Sequence, residues 1–359
     1  MASSSSSVGS GSSSSSKMHW RSESTAVAGQ SALLVAVVSP HDNPALHSMP
    51  TGTLGVNFVV GNTVEEFLAE PRLGEVQAVV FVPPASPNTL KDLVEHIPGL
   101  KWAHCFFAGV DSLSPIMPRL AAKSVPLTNG RGAFSGSLAE YVMAATLHFN
   151  KQIPLIQKNL TERKWDKFVM PTLEGKTIGF LGYGHIAQTS ARVAREGFGM
   201  RIAAVRRNAT KPCAVEADIV FSPEDKLACF AESDFVVSVL PGTPETLDFC
   251  GQAEFAAMKQ GAVFISIGRG VAVDEEALAA ALKRGDIAGA AIDVFKVEPL
   301  PQSSPLWDCG EEGRLLLTAH NADYTAEYFD LGWEVWAQNH ACFVSGRAFE
   351  TPVDLISGY

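Results

Sequence analysis

No run of apolar residues in this chain approaches the ~18 needed to cross a bilayer. The longest near the start, Ala32 to Val38, suits a buried strand, so a soluble protein with no membrane partner is expected. Only six cysteines occur in 359 residues (Cys105, Cys213, Cys229, Cys250, Cys309 and Cys342), and no two form a C-x-x-C pair. That scatter indicates neither a zinc site nor a disulfide framework, so no metal is expected and the thiols read as buried groups of a reducing compartment. Positive charge is also short: 28 Lys and Arg against 38 Asp and Glu leave a formal net charge of -10, with a pI near 5.4. Such a balance argues against nucleic acid or an anionic membrane as the main partner. An anionic ligand must then be met by a local cluster of arginine, lysine or backbone N–H groups.

Residues 1–30 are serine-rich and nearly devoid of acid; Glu23 is the only one, and Lys17 and Arg21 the only Lys or Arg. This composition buries too little apolar area to offset its ordering entropy, and disorder is expected there. It is also the composition of an organelle transit peptide. With few arginines and no evident amphipathic helix, a cytoplasmic location is favoured, a plastid or other organelle being the alternative.

The chain is 46% hydrophobic and 18% charged, long enough for about two domains. From Ser31 to about Pro126, short apolar runs (Ala32–Val38, Gln77–Val82, Trp102–Phe107) alternate with helix-compatible stretches (Val64–Ala69, Leu90–His96). Alternating βα units imply a parallel sheet. The third run feeds the loop Phe107-Ala108-Gly109-Val110-Asp111, where free N–H groups beyond a strand end would meet a ligand, or Gly109 simply turns the chain. After the loop Asn129–Ser135, the apolar stretch Leu138–Phe149 reads as a helix leaving this domain, while Pro154–Leu173 reads as polar and irregular.

The most informative stretch is Thr177–Ala187, T-I-G-F-L-G-Y-G-H-I-A. A β-branched and aromatic strand enters a turn with Gly182 and Gly184, and an alanine-rich segment leaves it with helical spacing. Gly182 permits the tight turn, Gly184 clears the approach to the backbone, and Ala187 lets helix and strand pack closely. A diphosphate would then rest on the helix N-terminus, near His185 and Ile186. Taken alone, such a turn is also compatible with a purely structural role. Strands then recur at Arg201–Val205, Ile219–Phe221, Phe235–Leu240, Ala262–Ile267, Ile287–Val294 and Leu315–Thr318, with a helix at Asp274–Arg284, as a doubly wound sheet requires.

A carboxylate is missing where NAD binding wants one. The strand after the motif helix ends in Arg206-Arg207, with Lys211 four residues beyond Arg207. Guanidinium forks suit a 2′-phosphate that a carboxylate would repel, so NADP is the expected cofactor and NAD the alternative. Paired arginines at a strand end are also compatible with a solvated surface.

Further on, Leu240-Pro241-Gly242-Thr243-Pro244-Glu245-Thr246, Met258-Lys259-Gln260-Gly261, Gly268-Arg269-Gly270, Asp293–Leu300 and His320–Thr325 follow in order. This ordered set resembles the D-isomer-specific 2-hydroxyacid dehydrogenase family, over about Ala32 to Val353. Asn150–Pro154, Trp165 and the paired arginines look most like its glyoxylate and hydroxypyruvate reductase branch. The resemblance implies two Rossmann-like α/β domains with the active site in the cleft between them. One is a discontinuous, flavodoxin-like substrate domain, 31–137 completed by 325–359; the other is a doubly wound NAD(P)-binding domain, 138–324. A helix over Tyr324–Val344 would carry the chain back, with Thr351–Val353 as a tail.

The resemblance also assigns roles. Arg269 would hold the substrate carboxylate and polarise its carbonyl, His320 would be the acid/base, and Glu298 would orient it and favour its protonated form. Asp293 would receive the nicotinamide carboxamide; Leu240, Pro241, Thr246, Ile267 and Gly268 would line the cofactor site; Ala108, Gly109 and Val110 would grip the carboxylate. The implied reaction passes a hydride between NAD(P)H and a small 2-oxo acid, and a homodimer is the implied assembly. Departures from the family pattern are Ser266 before the arginine motif, Ala319 before the histidine, and Ala187 in place of the last motif glycine. The segment Cys309–Gly313 would lengthen a loop between Glu298 and His320. A catalytically weak, nucleotide-sensing co-repressor and a D-3-phosphoglycerate or D-lactate dehydrogenase are the alternatives, Arg131 being a possible cation for a substrate phosphate.

Overall fold

The computed structural model describes residues 32–52, 55–210, 212–310, 313–356 and 358; the segment 1–30, Lys211, Glu311 and Glu312 fall outside the described residues. The first sheet is built from β1 (Leu33–Val38), β2 (Val56–Gly61), β3 (Ala78–Phe81), β4 (Trp102–Cys105) and β5 (Leu127–Asn129), with α1 (Val64–Leu68), α2 (Pro87–His96) and α3 (Met117–Ala122) between them. Next come α4 (Ser135–Asn150) and α5 (Ile153–Thr161). The second sheet takes β6 (Thr177–Leu181), β7 (Arg201–Val205), β8 (Ile219–Phe221), β9 (Phe235–Ser238), β10 (Val263–Ser266), β11 (Gly289–Ile292) and β12 (Leu315–Leu317). Its helices are α6 (His185–Phe198), α7 (Lys226–Glu232), α8 (Gln252–Ala257) and α9 (Glu275–Arg284). Finally α10 (Tyr328–Ser345) and β13 (Pro352–Val353) return to the first sheet.

Most strands are short and buried throughout, as in β1, β6 and β10. Strands covered by helices on both faces are apolar on both faces, which is why their sequences read as continuous hydrophobic runs. The six-stranded sheet has the order β13-β5-β4-β3-β1-β2, and the seven-stranded sheet the order β12-β11-β10-β9-β6-β7-β8. The first is flavodoxin-like, and both place a reversal of strand order beside the strand that opens the domain. All pairings are parallel except β13 with β5, where Pro352 faces Thr128 and Val353 faces Leu127.

The chain's return to the first sheet rests on aromatic packing. Trp336 is fully buried and stacks on Trp102 at 5.8 Å, while the Trp333 indole donates to the Ala45 carbonyl at 2.7 Å. Gly332 allows α10 this close, since a Cβ there would meet the Phe106 ring at 2.4 Å. In the second domain, Ala187, Ala191 and Ala194 of α6 pack in one core with Leu138, Val142 and Ala145 of α4.

Several elements differ from expectation. Within the stretch expected to be irregular, Ile153–Thr161 is helical; Pro154 sits in its first turn, where a missing N–H and a fixed φ are tolerated. α4 begins at Ser135, and α10 begins at Tyr328, four residues later than Tyr324. There the N–H groups of Asn321 and Ala322 donate to the Asp293 carboxylate, holding the chain out of helix. The tail is a strand. β2, β5 and α3 carry too few residues of clear periodicity to be read from pattern alone. Among the described residues no helix is long and apolar enough to cross a membrane.

A buried amide fastens this last strand. Asn339 Nδ2 donates to Thr351 Oγ1 at 2.9 Å, and its Oδ1 accepts from the N–H groups of Glu350 (3.1 Å) and Thr351 (3.3 Å). Removing it leaves the buried Thr351 N–H without its acceptor, while Thr351 Oγ1 keeps its bond to the Asn129 carbonyl, so Asn339→Ala should destabilise the fold by about 2 kcal/mol. Chemical denaturation monitored by tryptophan fluorescence checks this; an unchanged midpoint would contradict it.

Candidate active site

The candidate residues lie just past the carboxyl ends of strands, where α/β sheets leave backbone groups free for ligands. Ala108–Val110 follow β4, Gly182 and Gly184 follow β6, and Arg206 and Arg207 follow β7. Leu240 and Pro241 follow β9, Ile267–Arg269 follow β10, Asp293 follows β11 and His320 follows β12. They converge on one cleft of about 840 Å³ between the two sheets, lined by every candidate named from the sequence except Glu298.

Glu298 reaches the cleft through His320. The imidazole Nδ1 and Glu298 Oε2 are 2.7 Å apart, while Glu298 Oε1 accepts from the Phe295 N–H at 2.9 Å. With Nδ1 engaged, Nε2 is the ring nitrogen left for the cleft. His320 has a φ of 52°, a left-handed conformation that costs a non-glycine residue about 1 kcal/mol. Asp293 holds it there. Its carbonyl accepts the His320 N–H at 2.8 Å, and its buried carboxylate accepts from Thr318 Oγ1 (2.6 Å), the Asn321 N–H (3.0 Å) and the Ala322 N–H (3.2 Å).

Arg269 lies opposite. Its Nε donates to Asp111 Oδ2 at 3.0 Å and its Nη1 to the Gly268 carbonyl at 3.0 Å. Nη2 sits above Gly109, so close that a Cβ there would be 1.6 Å away. Among the described residues no protein acceptor meets the N–H groups of Ala108, Gly109 and Val110. The loop is fixed from behind, because Asn129 Nδ2 donates to the Ala108 carbonyl at 2.6 Å. A cation and unpaired N–H groups thus face one small volume, the arrangement that receives a carboxylate.

The glycine turn fits a dinucleotide. Gly182 has a φ of 83°, and a Cβ on Gly184 would meet nothing within 4 Å, so the space above the turn is open. Gly184 caps α6, whose first N–H groups, on His185, Ile186 and Ala187, have no protein acceptor among the described residues. His185 Nδ1 lies 2.8 Å from Ser135 Oγ, tying this turn to the start of α4. Thr246 Oγ1 donates to the Pro241 carbonyl at 2.6 Å and thereby shapes the loop after β9. Beyond β7 the Arg206 guanidinium lies 5.8 Å from the Tyr183 ring centroid and donates to Cys213 Sγ at 3.4 Å. Burial pushes the Tyr183 hydroxyl up to about 12.

Several cleft residues were not singled out from sequence. Asp111 closes the Phe107–Asp111 loop named from the sequence, where it was given no role of its own. Asp323 comes from the turn after His320, and Tyr328 opens α10. Burial pushes the Asp323 carboxyl up, opposed by the charge of His320. Tyr328 stacks on Phe134 at 4.3 Å and, with Phe107, walls the cleft with aromatic surface. Arg131 also lines it, and burial lowers its guanidinium's proton affinity. His104 is a structural group instead: burial lowers it to about 3, and its Nδ1 is 2.7 Å from Thr128 Oγ1.

The profile described as D-isomer specific 2-hydroxyacid dehydrogenase, NAD binding domain, matches residues 143–322. Glyoxylate/hydroxypyruvate reductase B of Klebsiella pneumoniae subsp. pneumoniae is 35% identical over 219 residues, 60% of this chain and 67% of that protein. A D-isomer specific 2-hydroxyacid dehydrogenase from Xanthobacter autotrophicus, solved with NADPH and MES, superposes with a TM-score of 0.76 at 28% identity, covering 92% of this chain and 100% of that one. An NADPH-dependent glyoxylate/hydroxypyruvate reductase from Sinorhizobium meliloti, solved with NADP and sulfate, gives a TM-score of 0.73 at 26% identity, covering 91% and 100%. The chain belongs to the D-isomer specific 2-hydroxyacid dehydrogenase family and is an NAD(P)-dependent oxidoreductase.

Proposed function

We propose that the protein reduces a small 2-oxo acid, such as glyoxylate or hydroxypyruvate, to the D-2-hydroxy acid with NADPH. The observation that carries this reading is the single cleft in which Arg269 and the Glu298–His320 pair face the free N–H groups of Ala108–Val110. The names of the reductases above support the choice of substrate. Residues 31–137 with 325–359 act as the substrate domain, and 138–324 as the cofactor domain.

In this reading Arg269 Nη2 and the N–H groups of Gly109 and Val110 hold the substrate carboxylate, and the guanidinium polarises the adjacent carbonyl. His320 delivers a proton from Nε2 to the developing alkoxide. Glu298 fixes the ring through Nδ1, which leaves Nε2 aimed at the substrate. The aromatic wall of Phe107, Phe134 and Tyr328 and the closing of the domains exclude water. Asp293, with one lone pair left over from its protein bonds, orients the nicotinamide carboxamide. The dinucleotide, when bound, supplies the hydride. Its diphosphate would lie on Gly182, Gly184, His185 and Ile186, with Leu240, Pro241, Thr246, Ile267 and Gly268 along the remaining wall.

A panel of 2-oxo acids with NADPH and NADH tests the reaction. Turnover of glyoxylate or hydroxypyruvate is expected, and Arg269→Ala and His320→Ala should each lower kcat/KM by about 100-fold or more while dinucleotide binding persists. Tight dinucleotide binding without turnover of any 2-oxo acid would refute the reading.

The coenzyme preference is assigned to Arg206 and Arg207. Losing one charge-assisted contact to a 2′-phosphate is worth about 1.5–3 kcal/mol, so Arg206→Ala should cut the NADPH-over-NADH ratio of kcat/KM by about tenfold or more. A strong NADH preference in the parent protein that survives the substitution would sink the assignment.

The chain is also read as a homodimer, with its contact on the arm after α4. Leu160, Trp165, Val169 and Met170 are exposed there, on a segment pinned by Gln152 Nε2 to the Val169 carbonyl and Lys151 Nζ to the Pro171 carbonyl. Apolar side chains held in place at a surface are what a partner copy would cover. Sedimentation velocity should show a dimer that Trp165→Glu weakens; a monomeric parent protein would contradict this.

A further inference from the structure

We propose that Asp111 is a positioning residue for substrate binding: it reaches across the cleft and holds the Arg269 guanidinium against the Gly109 loop. The proposal rests on the reading of Arg269 given above. Asp111 belongs to the loop after β4 in the first domain and Arg269 to the loop after β10 in the second, 158 residues away in sequence. Among the described residues their contact is the only ion pair that joins one domain to the other.

The bonding leaves the right edge of the guanidinium available. Asp111 Oδ2 takes the Nε hydrogen and the Gly268 carbonyl takes one Nη1 hydrogen. Both Nη2 hydrogens and the second Nη1 hydrogen remain for an incoming carboxylate. Nη2 is the atom lying over the bare Cα of Gly109, beside the unpaired N–H groups. Without Asp111 the guanidinium would keep only its bond to the adjacent residue's carbonyl, and its long side chain would regain rotamer freedom.

Two glycines make room for the pair. A Cβ on Gly109 would collide with Arg269, and one on Gly242 would stand 3.2 Å from Asp111 Oδ1 and 3.5 Å from Arg269 Cγ. Asp111 itself is held firmly: it opens a single helical turn, Asp111–Leu113, flanked by buried Val110 and containing buried Leu113, with the Ser114 N–H donating to its carbonyl at 3.2 Å.

An ion pair this exposed contributes little to folding stability, since solvent screens it and ordering two side chains opposes it. That separates orientation from a structural role. An anion beside an anion receptor also weakens the receptor's field, so the contact is favourable for binding only through the geometry it imposes.

Asp111→Ala and Asp111→Asn, made in the full chain, test the proposal. For Asp111→Ala, KM for the 2-oxo acid and the Kd of oxamate for the NADPH-loaded protein should rise about tenfold or more, with NADPH Kd and Tm unchanged. Asp111→Asn keeps an oxygen for the Nε hydrogen and should recover most of the loss. The proposal is overturned if Asp111→Ala leaves oxamate binding intact, if its effect falls on NADPH Kd or Tm, or if Asp111→Asn is as impaired as Asp111→Ala. Activity retained by Arg269→Ala would remove the underlying reading; loss there beside an unaffected Asp111→Ala would remove only this one.

Discussion

The cleft depends on one buried carboxylate. Asp293 is 2% exposed, and an ionised group there is tolerable only if its oxygens are satisfied. Thr318 Oγ1 and the N–H groups of Asn321 and Ala322 satisfy them. The same bonds determine where the chain goes after β12: they hold residues 321–322 in a turn, delay α10 to Tyr328 and leave His320 in a left-handed conformation. Its imidazole thereby reaches Glu298, from the segment after β11, at 2.7 Å. One acid at a strand end thus joins β11, β12, the start of the returning helix and the Glu298–His320 pair.

Much of the remaining geometry comes from side chains that are absent. Gly268 lies where a Cβ would be 2.5 Å from the Leu240 carbonyl oxygen, and Gly270 where one would be 1.9 Å from the Phe295 carbonyl carbon. These contacts draw the loops after β9, β10 and β11 together, so Arg269 leaves a tightly packed backbone. Gly109 then lets its guanidinium settle on the opposite domain. Backbone proximity thus sets where Arg269 emerges, and side-chain bonds then fix its guanidinium.

The architecture was legible where a short apolar run met a glycine or a charged residue, as at Leu181-Gly182, Ile267-Gly268-Arg269 and Val205-Arg206. There the end of burial and the start of ligand-facing backbone coincide in the sequence. β5 and β13 were not legible, because three and two residues show no period and their pairing is a long-range event. α5 was obscured by Pro154, and its exposed apolar residues follow no buried face. Asp111 was read only as a loop residue, for a different reason. Its partner is 158 residues away, and only the tertiary fold brings a carboxylate from one domain beside a guanidinium from the other. Glu298 and His320, equally inconspicuous as local sequence, were reached through an ordered resemblance over about Ala32 to Val353.

A chain with a net charge of -10 must still receive anions in this cleft. Charges farther apart than about 8 Å are largely screened at physiological ionic strength, so the field in the cleft is set by the groups that line it. At one end stand the unpaired N–H groups of α6 with Arg206 and Arg207; at the other stand Arg269 and the N–H groups of Ala108–Val110. The two cationic ends are held differently. The Arg206 guanidinium lies 5.8 Å from the centroid of the Tyr183 ring and donates to Cys213 Sγ. Arg269 is held by a carboxylate, which orients it more firmly and weakens its field. The groups that line the cleft, and not the acidic remainder of the surface, therefore set the field at each end.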